Sequence, residues 1–272
     1  MKQEVQPVQL RPETLDSFTT YIAQAELEMK KTECEDNVFL WAYVASDRMQ
    51  EIDSGTISAQ CVSGSKPLPV PDGLIHDWIG VISVPATTVE QTLMLLQNYD
   101  NHKNIYQPEV IDSKLISRDG NNFRIHLRLL KKKIKTVVLD TDHDVLYYSP
   151  ADGYWCCRSY TTRIAEVEHC GTANEKVLPP DSGFGFLWRL YSYWRLREHG
   201  SVLYVVCRAI SLTRDIPKGL GWIIRPIIKS LPEESLAHTL DSTRRALTLD
   251  RKQHDVSEHE THATAELTHP GA

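Results

Sequence analysis

The sequence predicts an α+β fold: a curved seven-stranded antiparallel sheet, in the order β-α-α-β6-α, wrapped around a long C-terminal helix, with an N-terminal helical extension. Three observations carry this. The stretch "NNFRIHLRLL" alternates apolar and polar residues with the period of a half-buried strand. Several such segments follow one another with no helix between them, which argues against a parallel, doubly wound sheet. The last ordered segment, "GWIIRPIIKSLPEESLAHTL", is apolar, breaks at Pro226 and resumes with helical spacing.

Taken in order, the first element is a helix over residues 12 to 32, with Pro12 near its start and Leu15, Phe18, Ile22 and Ala25 on one face. The Ser/Gly/Pro-rich passage from Ser54 to Gly73 reads as a linker, so residues 1–72 form a helical extension and linker. The main domain, residues 73–250, opens with the strand "LIHDWIGVISVPA". Thr87 and Glu90 have the spacing of a capping box for the next helix, whose face continues through Val89, Leu93 and Leu96. A short helix around "HKNIYQPEV" follows.

The strand signals come next. Phe123, Ile125, Leu127 and Leu129 share one face, with Arg124, His126 and Arg128 on the other. "KIKTVVLDTDHDVLYYS" and "YWCCRSYTTRIAEVE" read as long strands. "FLWRLYSYWRLREHG" sets Trp188, Leu190, Ser192 and Trp194 on the inner face and Arg189, Tyr191, Tyr193, Arg195 and Arg197 on the outer one. In the final strand Val205 and Cys207 point inward. Ser230 and Glu233 then form a second capping box, and Leu236, Leu240, Thr243 and Leu247 carry the stripe of the closing helix. The polar tail, residues 251–272, reads as disordered.

Composition limits the function. The chain has 272 residues, is 41% hydrophobic and 24% charged, and carries a formal charge of -6, so a general nucleic-acid binder is not expected. The six cysteines show no zinc spacing, and no metal or cofactor is expected. "DTDHDVLYYSPA" starts like a calcium loop, but Val145 stands where the turn needs glycine and Ala151 where a bidentate glutamate is needed. A polar bulge or turn within a strand is the better reading. The paired glycines at Gly183 and Gly185, and at Gly219 and Gly221, lack the third glycine of a dinucleotide loop. The opening "MKQEVQPVQLRPETL" has no apolar core, so the chain as written is expected to be soluble and cytoplasmic, or exported if a signal peptide has been removed.

The order β-α-α-β6-α with the long helix last, together with "GLIHDWIGVISVP", "LDTDHDV", "TTRIAEVE", "FLWRLYSYWR" and "ISLTRDIPKGLGW", resembles the helix-grip SRPBCC superfamily. That superfamily includes START lipid-transfer domains and polyketide cyclases, and the resemblance is strongest to its bacterial members of unassigned function. The resemblance implies an internal pocket for an apolar molecule and no fixed catalytic residues.

On this reading Ile125, Leu127, Leu129, Trp188, Leu190, Ser192, Trp194, Val205, Cys207, Ile224, Ile228, Leu236 and Leu240 face the ligand, with Ser192 and Cys207 as its polar contacts. The expected function is binding or carrying a lipid-like molecule without catalysis. The alternative is a cyclase or aromatase acting in the same cavity, disfavoured because the assigned inner faces hold almost no Asp, Glu or His. Lys131, Lys132, Lys133 and Lys135 either protect a solvated sheet edge or give weak contact with an anionic membrane surface, widened by Arg189, Arg195 and Arg197. A monomer is expected.

Overall fold

The computed structural model describes residues 7–33, 52, 54–62, 64, 67–132, 136–215 and 231–250. Ile224, Ile228, Ser230, Lys133, Lys135 and the tail 251–272 lie outside the described residues. In chain order the elements are β1 (Val8–Gln9), α1 (Pro12–Glu33), β2 (Ser58–Cys61), β3 (Leu68–Val70), β4 (Gly73–Pro85) and α2 (Val89–Gln97). A single 3-10 turn (Tyr99–Asn101) leads to α3 (His102–Ile105), β5 (Val110–Asp119), β6 (Asn122–Lys132), β7 (Thr136–Ala151) and β8 (Tyr154–Glu168). Then come β9 (Lys176–Val177), β10 (Ser182–Gly183), β11 (Arg189–His199), β12 (Val202–Arg214) and α4, residues 231–250.

The seven long strands run β4-β12-β11-β8-β7-β6-β5, each antiparallel to its neighbour. The sheet is larger than the sequence predicts, with ten strands: β2 and β3 pair with β4, and β9 pairs with β8. These additions are two to four residues long, too short to leave a periodic signal. The "DTDHD" segment runs unbroken through β7, with a register shift between Asp142 and His143 where β8 carries an extra residue.

Helix α2 starts one residue later than its sequence suggests. Thr88, not Thr87, is the N-cap; its hydroxyl accepts from the Gln91 amide while the Gln91 side chain accepts from the Thr88 amide. Gln91 fills the reciprocal position as well as a glutamate does, so the box forms without Glu90.

Both faces of the sheet are covered. On the outer face α1 buries Phe18, Ile22, Ala25 and Met29 against Ile75, Tyr193, Ile210 and Leu212. Polar clamps fix its register. The Tyr21 hydroxyl donates to Asp77 at 2.7 Å, and Asp77 in turn holds Arg208 through two bonds of 2.9 and 2.6 Å. Glu26 accepts from the phenols of Tyr160 and Tyr193. Arg195, expected on an open face, is buried beneath α1 and donates to the Met29 carbonyl at 2.8 Å. Arg189 pairs with Asp181. Of the three arginines expected to widen a basic patch, Arg195 is thus buried and Arg189 ion-paired, while Arg197 lies over the Tyr154 ring.

Helix α4 lies on the inner face, where Leu236, Leu240 and Leu247 join Ile82, Val84, Phe123, Leu196, Leu203 and Val205 in the principal core. It packs directly on Gly80, where an added Cβ would lie 2.5 Å from Leu240 Cδ1 and 3.3 Å from Leu236 Cγ. A glycine at the middle of a central strand weakens that strand, and here its use is to let the helix in. A long terminal helix held inside an antiparallel sheet is the helix-grip arrangement.

Candidate functional site

Between the inner face and α4 lies a cavity of about 670 Å3. Its walls come from β4, β6, β7, β8, β11 and β12, from α2 and α3 at one end, and from α4 across the middle. Side chains as far apart in the sheet as Ile125 of β6 and Ala209 of β12 meet around this one space, which requires the sheet to curve.

Of the residues the sequence nominates, Ile125, Leu127, Leu129, Leu190, Ser192, Trp194, Cys207 and Leu236 line the cavity. Val205 and Leu240 point the same way but are sealed in the solid core beyond its end. Trp188 turns to the other face. It sits in a bend one residue before β11, where strand alternation does not yet apply, and packs with Phe18 and Leu212 beneath α1.

The walls also hold polar groups that the sequence reading missed, and the expectation of an inner face nearly free of His and acids is corrected. His76, His102 and His143 are buried there, and burial pushes each imidazole down to about 4. They are engaged. His143 Nε2 lies 3.0 Å from Thr141 Oγ1, and its Nδ1 lies 3.2 Å from Ser159 Oγ. His102 Nε2 is 3.0 Å from the Leu96 carbonyl, and His76 Nε2 is 3.1 Å from Thr213 Oγ1. The hydroxyls of Tyr99 and Tyr147 bond each other at 2.7 Å, and burial raises both phenols well above their ordinary range. Cys157 is pushed up to about 12 by burial, and Cys207 is raised by the same cause, so both remain thiols.

Lys131 is the largest departure from the sequence reading. It belongs to the cavity wall and not to an open lysine patch. Its ammonium donates to the Glu109 carboxylate and, at 2.6 Å, to Ser235 Oγ on α4. Burial lowers its proton affinity while Glu109 raises it. Lys132, by contrast, is exposed.

The segment Phe184 to Leu187 forms another part of the wall, and a buried carboxylate shapes it. Glu166 of β8 accepts from three successive amides, Phe184 at 2.9 Å, Gly185 at 2.8 Å and Phe186 at 3.1 Å. Such charge-assisted bonds fix the backbone beside the cavity. Gly185 has a φ of +77°, and a Cβ there would meet Arg214 Cβ at 2.4 Å, so the turn needs glycine for both conformation and space.

Among the described residues no cluster of His, Cys, Asp and Glu has metal-binding geometry, and no helix is long and apolar enough to cross a membrane. No known protein family profile matches the chain, and no curated protein matches it. Solved structures do. A STAR-related lipid transfer protein from Xanthomonas axonopodis is similar at a TM-score of 0.47 and 14% identity, over 70% of this chain and 98% of that one. A Thermus thermophilus protein gives 0.45 at 15% identity, over 63% and 97%. The Zhui aromatase/cyclase from a Streptomyces species gives 0.44 at 10% identity, over 64% and 94%. Likeness at this level concerns arrangement; the chemistry has to come from the side chains of this chain.

Proposed function

We propose that this chain binds and carries a lipid-like or other apolar small molecule, without transforming it, in the cavity between the sheet and α4. Residues 73–250 form the binding domain in this reading, and residues 1–72 are an extension to it. The observation that supports it most is the cavity's size and lining. About 670 Å3 falls inside the range of roughly 300–1,000 Å3 typical of small-molecule sites, and aliphatic and aromatic side chains dominate its wall. Burial of ligand surface there contributes roughly 25 cal/mol per Å2.

The polar groups favour binding over catalysis. A general base needs a free, suitably basic atom within reach of the substrate. Both nitrogens of His143 are engaged, His102 and His76 are held by neighbours, and Tyr99 and Tyr147 occupy each other; the exception in the wall is His238, whose Nε2 has no partner among the described residues. A second reading, a cyclase-type enzyme, draws support from the Lys131–Glu109 pair, since an amine beside a carboxylate in an apolar cavity is a recurring acid–base arrangement.

The test is uptake of a panel of fatty alcohols, sterols and aromatic polyketides by the wild type and by Ala209→Trp, which projects an indole into the cavity from its sheet wall. Uptake by the wild type alone, with the ligand recovered unchanged, supports the carrier. Conversion of a bound panel member, lost in Lys131→Met, supports the enzyme.

A further inference from the structure

The wall where β6 meets α4 differs chemically from the rest of the cavity. Lys131, Ser235 and His238 line it together, and Ser235 and His238 are one helical turn apart on α4. Lys131 has three N–H donors; Glu109 takes one and Ser235 another. His238 Nε2 is buried and, among the described residues, has no hydrogen-bond partner. A buried polar atom left unsatisfied is costly, so its place in a cavity wall favours an occupant that bonds to it.

The charge balance says what kind of occupant. Lys131 is already neutralised by Glu109 inside the protein. Glu234 also acts on Lys131, so an acidic head would bring a further negative charge beside two carboxylates; among the described residues the one other Lys or Arg of the cavity lining is Arg214, at the end of β12 and not on this wall. A hydroxyl brings no charge. It can also donate to an imidazole nitrogen or accept from one, so it suits either tautomer of His238. Resting on the carrier reading above, we propose that the ligand is an amphipath with an uncharged hydroxyl head. The head docks against His238 and the remaining Lys131 donor, and the apolar body extends toward Leu127 and Trp194.

This is tested with three ligands of matched chain: dodecanol, tridecane (a methyl in place of the hydroxyl) and dodecanoate. Each is titrated at neutral pH into the wild type and into His238→Phe, following the fluorescence of Trp194 against a Trp194→Phe control. Comparing the change in affinity between ligands removes their different solubilities in water. His238→Phe is expected to weaken dodecanol about five- to tenfold, the loss of one hydrogen bond of about 1 kcal/mol or slightly more, and to leave tridecane and dodecanoate within about twofold. Unchanged tridecane binding also shows that the variant folds. The 15N resonances of the His238 ring give a second readout, and they should move with dodecanol and stay in place with tridecane.

Equal effects of His238→Phe on dodecanol and tridecane, or ring resonances that ignore dodecanol, would overturn the hydroxyl head and leave the cavity reading standing. A larger effect on dodecanoate than on dodecanol would overturn it in favour of an acidic ligand. Failure of all three to bind the wild type would remove the carrier reading itself, and this inference with it.

Discussion

Acid should destabilise this protein well before its carboxylates titrate. His76, His102 and His143 are held neutral, with folded values near 4 against an ordinary 6.5. Burial is the first cause in each case. A histidine whose folded pKa is depressed binds fewer protons folded than unfolded at every pH below about 7, so stability falls as pH drops from the unfolded value toward the folded one. At about pH 5.5 an unfolded histidine is roughly nine-tenths protonated and a buried one nearly neutral, so going from about pH 7.5 to 5.5 costs about 1.3 kcal/mol per residue. Three together give about 4 kcal/mol, a large part of the 5–15 kcal/mol typical of a whole domain.

Urea unfolding at the two pH values, followed by circular dichroism, measures this directly through the midpoint at constant m. His143→Gln keeps a polar side chain of similar reach toward Thr141 and Ser159 and removes the titration. It should flatten the pH dependence by about a third while lowering stability at neutral pH. Equal stability at the two pH values, within about 1 kcal/mol, would refute the reasoning. It would mean that these imidazoles either reach water or gain protons without loss of the fold.

Three further outcomes follow from the packing. Gly80→Val forces side-chain atoms into the space of Leu240, and should lower stability by about 1–3 kcal/mol in the same urea experiment. Asp77→Leu strands the buried Arg208 and should cost about 3–5 kcal/mol, whereas Asp77→Leu with Arg208→Met should recover most of that loss; a double mutant as unstable as the single would contradict the ion-pair account. Glu166→Gln weakens the three charge-assisted bonds to Phe184, Gly185 and Phe186, and hydrogen exchange should quicken at those amides while β4 and β12 stay protected.

The long strands were legible because alternation survives wherever one face is uniform. In β6 the run Phe123, Ile125, Leu127, Leu129 points inward as its spacing implies. That same parity carries on to Lys131, which is the clue that was available and outweighed: three lysines in a row look like surface, yet the first of them is the next inward position. His143 is a similar case, since it shares parity with Leu139, Val145 and Tyr147 but stands among aspartates. Charge neighbours in sequence say little about a strand, because adjacent residues face opposite ways.

Other features left no local trace. The cover that α1 gives the outer face depends on contacts more than a hundred residues apart, such as Glu26 with Tyr193 and Met29 with Arg195. β4 is buried on both sides along nearly its whole length, so its two faces cannot be told apart by polarity. His238 could not be singled out because its distinguishing property is a missing partner, and sequence records only which partners exist.

The central claim is that the space under α4 belongs to an apolar guest. Native mass spectrometry of freshly purified protein, followed by solvent extraction and identification of whatever is released, tests it most directly. The account predicts a stoichiometric apolar molecule on the wild type, absent from Ala209→Trp. A wild type that carries nothing and takes up no member of the lipid panel would contradict it.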